Sequence, residues 1–490
     1  MRRLWMVVSP LAVALAMASP LYVQGAEPVP VSDEVLTELS ALDQGVAANE
    51  RGLPSLLALF ARARDNDAEL IRQRYEFGAV QEEYPMARSQ LLPQVSASGG
   101  YLWQDSTNVQ TDPEGFGLDQ PATRPGQFDE HYWRLQLQQP LFSLERWRKL
   151  DVANAQISAS ALQLAVVEQG LALSVSEAYV KAYLSSQRLG LLESQQAALE
   201  LQVRQASRAF DLGIGNRVDL LETQSRLDQA IADAVEAENN LDNALSVLER
   251  LTGMRPEMRG LAVGDLKQVS IDQDWGDESE WVERIGQNLA VQLASKEQGI
   301  SIADTSTRRA GHYPEVNLSL SYTDRHSDDE LRSSEDYTAN VEVSVPLFSG
   351  GYTSASVRQG EKRIAANKAA VEHQRNIAIQ EVRSSLRALN GSIRRLEALQ
   401  RAIESSELFL SAAERGEQLG LRDLVDVLDA RASLYDQRIK FVDTLGNYAL
   451  DRLTLYAAAG ELDSDDLVEV MQLLISITAN ISPELLLTAE

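Results

Sequence analysis

The chain has 490 residues, with 45 Lys and Arg against 72 Asp and Glu, a net charge of −27 and no cysteine. That charge balance excludes a phosphate-backbone binder, which relies on clustered cations. The missing thiol excludes disulfides, thiolate metal sites, cysteine nucleophiles and lipid attachment through cysteine. His131, His312, His326 and His373 are scattered without ligand spacing, so histidine catalysis and metal chemistry have little to build on.

At the start, Arg2 and Arg3 precede an apolar run that is interrupted by Pro10 and Pro20 and ends in Gly25 and Ala26. A basic start, a short apolar middle and a small-residue end make residues 1–26 a secretory signal peptide. The remainder is expected outside the cytoplasm. No later window is expected to supply the ~18–20 uncharged residues of a spanning helix.

The rest of the chain is written twice. Pro140-Leu141-Phe142 recurs as Pro346-Leu347-Phe348, 206 residues on, and Val218-Asp219-Leu220-Leu221 recurs as Val425-Asp426-Val427-Leu428, 207 residues on. Two unrelated landmarks sharing one offset predict two similar units: repeat 1 over 27–252 and repeat 2 over 277–460. A joint over 253–276, with several glycines and Pro256, separates them. An acidic, leucine-rich tail follows over 461–490, broken by Pro483 and carrying no firm assignment.

Each repeat reads as helix, two strands and a long helical hairpin. Helical patterns over Leu53–Leu92 and Ser279–Gly311 end in Pro93 and Pro314. The period then changes to two, which predicts strands over about 93–104, 131–142, 314–323 and 338–347. One face carries Val95, Trp133, Leu135, Leu318, Tyr322 and Val341, and the other carries Ser96, Arg134, Gln136, Ser319 and Asn340. Soluble hairpins laid on helices are the commoner use of such alternation. Against that use, ~9–11 residues is the length of a tilted membrane strand. Aromatics such as Trp103, Trp133, Phe142 and Phe348 gather toward segment ends as in interfacial girdles, and the connecting loops are acidic. Four strands close no barrel, and an open edge in lipid leaves backbone groups unpaired, so the membrane reading demands strands from other copies.

Beyond each Pro-Leu-Phe the helical period runs more than sixty residues without proline, ~100 Å of helix at 1.5 Å per residue. The turns fall at Gly213-Ile214-Gly215-Asn216 and Leu419-Gly420-Leu421, after which helices return over Val218–Leu251 and Leu424–Ala459. Gly213-Ile214-Gly215 joins two helices and so lacks the strand–loop–helix context of a phosphate loop. No catalytic constellation stands out; an enzyme is not expected, and no cofactor.

Several segments together carry a resemblance. They are Met86-Ala87-Arg88-Ser89-Gln90-Leu91-Leu92-Pro93-Gln94-Val95, Asn239-Asn240-Leu241-Asp242-Asn243-Ala244 with Leu251-Thr252-Gly253, and Val345-Pro346-Leu347-Phe348-Ser349-Gly350-Gly351. The strongest is Gly420-Leu421-Arg422-Asp423-Leu424-Val425-Asp426-Val427-Leu428-Asp429-Ala430, running on to Leu434-Tyr435. In this order the chain resembles the TolC-like family of outer-membrane efflux and export channels. The resemblance implies a mainly α protein with a membrane β-barrel part. Three chains would build a twelve-stranded barrel, four strands from each, continued by a periplasmic barrel of twelve helices in long coiled-coil hairpins. It also implies outer-membrane lipid around the barrel, a periplasmic adaptor (membrane fusion protein), an inner-membrane ABC or RND-type transporter, and passive exit of drugs, small toxic compounds or secreted proteins. Drug efflux and protein secretion both stay open; a soluble periplasmic coiled-coil adaptor or scaffold is the alternative.

By the same resemblance, Asp426 and Asp429 match a pair of aspartates lining the periplasmic entrance, a ring of six carboxylates in a trimer. Their spacing of three puts both on one helix face. Asp219 and Arg422 match positions that hold the closed entrance between neighbouring hairpins. Glu417 departs from the family pattern, which has tyrosine there: a hydroxyl donor becomes an acceptor-only carboxylate, free to pair with Arg415 or Arg208 or to face water. The turns at Gly213–Asn216 and Leu419–Leu421 are the expected adaptor-docking tips. For all these charges a solvated helix face is the plainer reading.

Overall fold

A computed structural model describes residues 53–105, 128–258, 274–328 and 333–478, with positions 261, 264, 266, 269 and 271 in the joint. The expected signal peptide and the end of the tail lie outside the described residues.

Three helices open the described chain where one was expected: α1 (Leu56–Asn66), α2 (Ala68–Gln81) and α3 (Glu83–Ser89). Asp67 makes the first break, its carboxylate accepting from the Leu70 amide at 2.9 Å to cap α2. The second falls at Glu82, just ahead of Pro85 inside α3. The counterpart in repeat 2 is also divided, into α6 (Glu278–Arg284), a short 3-10 turn and α7 (Leu289–Ala310) capped by Asn288.

The strands β1 (Gln94–Gln104), β2 (Phe128–Ser143), β3 (Glu315–Ser327) and β4 (Ser334–Ser344) form one antiparallel sheet in the order β1-β2-β3-β4. The register places Val95 opposite Leu137, Leu137 opposite Leu320 and Leu318 opposite Val341, so the four apolar faces coincide. Above them run Trp133, Tyr322 and Tyr337, with ring centroids 4.9 and 4.7 Å apart. The opposite face is polar, with Arg325 paired to Glu130 at 2.9 Å and Arg134 bonded to the Thr323 hydroxyl at 3.1 Å.

The strand ends differ from expectation. β2, β3 and β4 run several residues further toward the loops, because backbone pairing continues after the apolar alternation stops. β4 ends at Ser344, short of the expected 347: it is an edge strand, and Pro346 has no N–H to extend the ladder. In repeat 1 the equivalent Pro140 stays in the sheet, where a register shift between Pro140 and Phe142 absorbs it.

From the sheet descend α4 (Leu144–Asp211), returning as α5 (Arg217–Thr252), and α8 (Tyr352–Gln418), returning as α9 (Leu424–Ala459). The 68- and 67-residue helices are ~100 Å long. One stretch of α4 is apolar enough by length and composition to cross a membrane, but its uncharged run between Asp151 and Glu168 is sixteen residues, short of the ~18–20 of a spanning helix. It belongs to a far longer helix that packs beside α7, α2 and α5.

Each returning helix stops halfway, and another continues beside α4. Gly460, at φ +80°, ends α9 against the Gln287 backbone. There the Asn288 side chain accepts from the Ala290 and Val291 amides and donates to the Ala458 carbonyl at 2.9 Å, capping two helices at once. Gly253, at φ +71° and 207 residues earlier, ends α5 against Asn66 at the α1–α2 junction. The main core lies at this level, where α1, the joint and α10 (Ser464–Ser476) wrap the hairpins around Tyr179, Tyr183, Met258, Phe441 and Tyr448. The Tyr179 hydroxyl donates to Pro54 O and that of Tyr183 to Leu474 O, so these two buried hydroxyls are satisfied.

Candidate functional site at the hairpin tips

Both tips close in the same way. Gly213 (φ +75°) donates to Phe210 O at 2.9 Å and Ile214 to Ala209 O at 3.0 Å. Gly420 (φ +69°) donates to Glu417 O at 2.9 Å and Leu421 to Gly416 O at 2.8 Å. This pair of bonds satisfies the last helix carbonyls and needs a left-handed residue, which glycine adopts without strain. Asn216 then caps α5 through its Oδ1, 3.0 Å from the Val218 amide. Around these turns Leu212, Ile214, Leu419 and Leu421 are each more than 70% exposed. Apolar side chains held out on a rigid turn are available to a partner.

Arg422 packs its stem over Gly416, where an added Cβ would lie 3.1 Å from Arg422 Cγ. Its guanidinium carbon lies 5.4 Å above the Phe409 ring and its Nη1 is 3.5 Å from Asp426 Oδ2. Within the chain Arg422 is thus turned to its own hairpin and does not meet Asp219. The Asp219 carboxylate has no partner among the described residues; its carbonyl accepts the Thr223 hydroxyl. Glu417 is exposed, and among the described residues its carboxylate meets neither Arg415 nor Arg208.

Asp429 makes the contact that spans the two hairpins, accepting from Arg226 at 2.7 Å while Arg226 also holds Glu222 at 3.0 Å. Burial alone would lower the Arg226 guanidinium, but its bonds to Glu222 and Asp429 outweigh that and raise it. Beside this pair Leu199, Leu227, Ala230 and Leu428 form a small apolar cluster joining the hairpins. Arg226 was not singled out in the sequence. Its one signal there is Glu222 four residues before it, an ordinary helix pair. Among the described residues no group of His, Cys, Asp and Glu is arranged to hold a metal ion. What the site offers is a carboxylate-bearing pair of hairpin ends joined by the Arg226–Asp429 pair.

Comparison with known proteins fits this architecture. A family model described as outer membrane efflux protein matches residues 59–254 and 285–461. The TolC outer membrane protein of Vibrio cholerae is 28% identical over 423 residues, covering 85% of this chain and 93% of that protein. The alkaline protease secretion protein AprF of Pseudomonas aeruginosa is 29% identical over 429 residues, covering 84% and 85%. Among solved structures, the CmeC outer membrane channel of Campylobacter jejuni superposes with a TM-score of 0.71 at 15% identity, covering 88% of this chain and 90% of that one. A Pseudomonas aeruginosa membrane protein gives 0.71 at 22% identity, covering 86% and 94%. At these identities the structures speak for the fold.

Proposed function

Because the chain belongs to the outer membrane efflux protein family, we propose that three copies close one twelve-stranded barrel over one tunnel of helices, gated at the tips. The protein is an outer-membrane channel of the efflux and type I secretion class. The observation that carries the assembly is the sheet, whose β1 and β4 edges are open beside a continuous apolar face. Such edges are untenable in lipid unless other copies pair them. A soluble adaptor would have no use for that face.

In the assembly, lipid covers the apolar face and the polar face lines the exit. Passage is passive: an inner-membrane ABC or RND-type transporter supplies the energy, and a periplasmic adaptor docks on the exposed leucines and isoleucine at 212–216 and 419–421. Drugs, small toxic compounds and secreted proteins are the substrate classes. Asp426 and Asp429 from three copies ring the entrance, a concentration of negative potential in a narrow opening that favours cations. Arg422 and Asp219 tie hairpins of neighbouring copies, and Glu417 faces water beside them.

Planar bilayers test this. Asp426→Ala with Asp429→Ala is expected to reduce cation selectivity, and unaltered reversal potentials reject the ring. Arg422→Ser and Asp219→Ala are each expected to raise single-channel conductance; unchanged conductance rejects the lock. Crosslinks to an adaptor confined to the level of α10 reject docking at the tips.

A further inference from the structure

Below the sheet the protomer has two lateral edges. α8 packs against α9 on one side and α5 packs against α4 on its own side, and the charged residues on the far faces of both are largely exposed within the protomer. Buried positions of lower α8 recur as Val382, Leu386, Leu389, Ile393, Leu396 and Ile403, the stripe that faces α9. The opposite stripe repeats every seven residues. One position holds Arg387, Arg394, Arg401, Leu408 and Arg415; the other holds only the small residues Ser384, Gly391, Ala398, Ser405 and Ala412. The four arginines are exposed, and none has a carboxylate partner among the described residues. At 1.5 Å per residue the ladder runs ~40 Å.

The far face of α5 has the same build with the opposite sign. Behind its buried stripe of Leu227, Ala234, Leu241 and Leu248 stand Asp228, Glu236, Asp242 and Glu249, with Ser225, Ala232, Asn239 and Ser246 between them. Asp242 and Glu249 share Arg255, and Asp228 accepts from Gln224. Small residues allow two helices to approach closely, and long charged side chains on the flanks set partner and orientation, as at the edges of a coiled coil.

We infer that these faces are the two halves of a subunit seam: the arginine ladder of α8 in one copy docks on the acidic face of α5 in the next. The inference rests on the assembly proposed above and adds what selects its partner. The occupant is a second copy of this chain, because the two faces are opposite in sign and each carries a row of short side chains every seven residues. They also lie on opposite edges, so each copy offers one and receives the other. Such a head-to-tail contact closes a ring. In a chain of net charge −27, an edge with four cations and no acid on its stripe also offsets the repulsion between copies.

The test is charge exchange in the full-length protein in detergent, read by analytical ultracentrifugation at low and high salt. Reversal of the ladder by Arg387→Glu, Arg394→Glu and Arg401→Glu is expected to lower the trimer-to-monomer ratio roughly tenfold or more, since like charges meet at every seam. Adding Asp228→Arg, Asp242→Arg and Glu249→Arg to the same chain is expected to restore it. All six positions are on helix surfaces, and far-ultraviolet circular dichroism at the wild-type value confirms that each protomer folds. A reversed ladder that leaves the trimer intact, or a double exchange no better than the single, overturns the seam. A reversed ladder that alters only ion selectivity overturns it also, because the arginines then face the lumen. A wild-type protein that sediments as a monomer defeats the assembly itself, whatever the ladder does.

Discussion

Asn288 offers a quantitative test of how the tunnel wall is spliced. Its side chain is 7% exposed and serves two helices, accepting from the Ala290 and Val291 amides at 3.0 and 3.1 Å and donating to Ala458 O at 2.9 Å. Asn288→Ala removes the α7 cap, a loss of ~1 kcal/mol. It also strands the Ala458 carbonyl in a buried place, a further ~1 kcal/mol. Two-state melting does not describe a large oligomeric channel, so the readout is local. A loss of ~2 kcal/mol predicts about thirtyfold faster hydrogen exchange at the Ala290 and Val291 amides, with little change at the tips. Asn288→Asp keeps the acceptor and loses the donor, so about half the effect is expected. Unchanged protection in Asn288→Ala, or identical exchange in the Ala and Asp variants, refutes the double cap.

Gly460→Ala sets a Cβ 2.3 Å from the Gln287 carbonyl carbon at a left-handed φ, so its yield of folded protein should fall well below that of Gly253→Ala, whose Cβ meets only the movable Asn66 side chain; equal yields in limited proteolysis contradict this. Arg226→Ala releases Asp429 and Glu222 together, and single-channel conductance is expected to rise; a fall or no change shows that the pair does not restrain the tip. Burial holds the Asp443 carboxyl above its usual range, opposed by Arg188 and Arg395. With its folded value raised above the unfolded ~3.9, its contribution to stability is greatest below that unfolded value and is lost as pH rises through the folded one. Asp443→Asn is accordingly expected to slow hydrogen exchange of the α9 amides around position 443 at pH 7 and to leave it unchanged near pH 3; faster exchange at pH 7 sinks the assignment.

The elements readable in the sequence were those set by local period and punctuation. The long helices begin and end within a residue or two of their expected limits, because a change of period and a glycine turn mark each end. The two faces of the sheet were readable for the same reason. The helix breaks at Asp67 and Asn288 were not: the first is a local cap hidden inside a continuous helical pattern, and the second also depends on the Ala458 carbonyl, 170 residues from Asn288. The helix α10 was within reach, for Asp463 and Asp466 form a capping box ahead of an apolar run. At the tips, the turns and the Asp426–Asp429 face could be read locally. The pairing of Asp429 with Arg226 could not, because it depends on how two hairpins lean together.

The splice also explains how a sheet of four strands can continue into a wall of helices. Above the belt the columns of one protomer are α2, α4, α7 and α8; below it they are α5, α4, α9 and α8. The glycines at 253 and 460 and the caps that meet them keep the number at four throughout. In the proposed trimer, twelve strands at ~4.8 Å spacing and ~40° tilt enclose a barrel of roughly 24 Å diameter. Twelve helices at ~10 Å spacing enclose roughly 38 Å between axes, or about 28 Å once the helices' own thickness is subtracted. The tunnel of helices is thus the wider part, and the strand barrel, whose side chains also fill part of its ~24 Å, is the narrower. Losing either splice would leave three columns in half of one protomer and open a gap beside α4. The duplication at an offset of 207 residues therefore reaches beyond the tips: it supplies the second splice that a continuous wall requires.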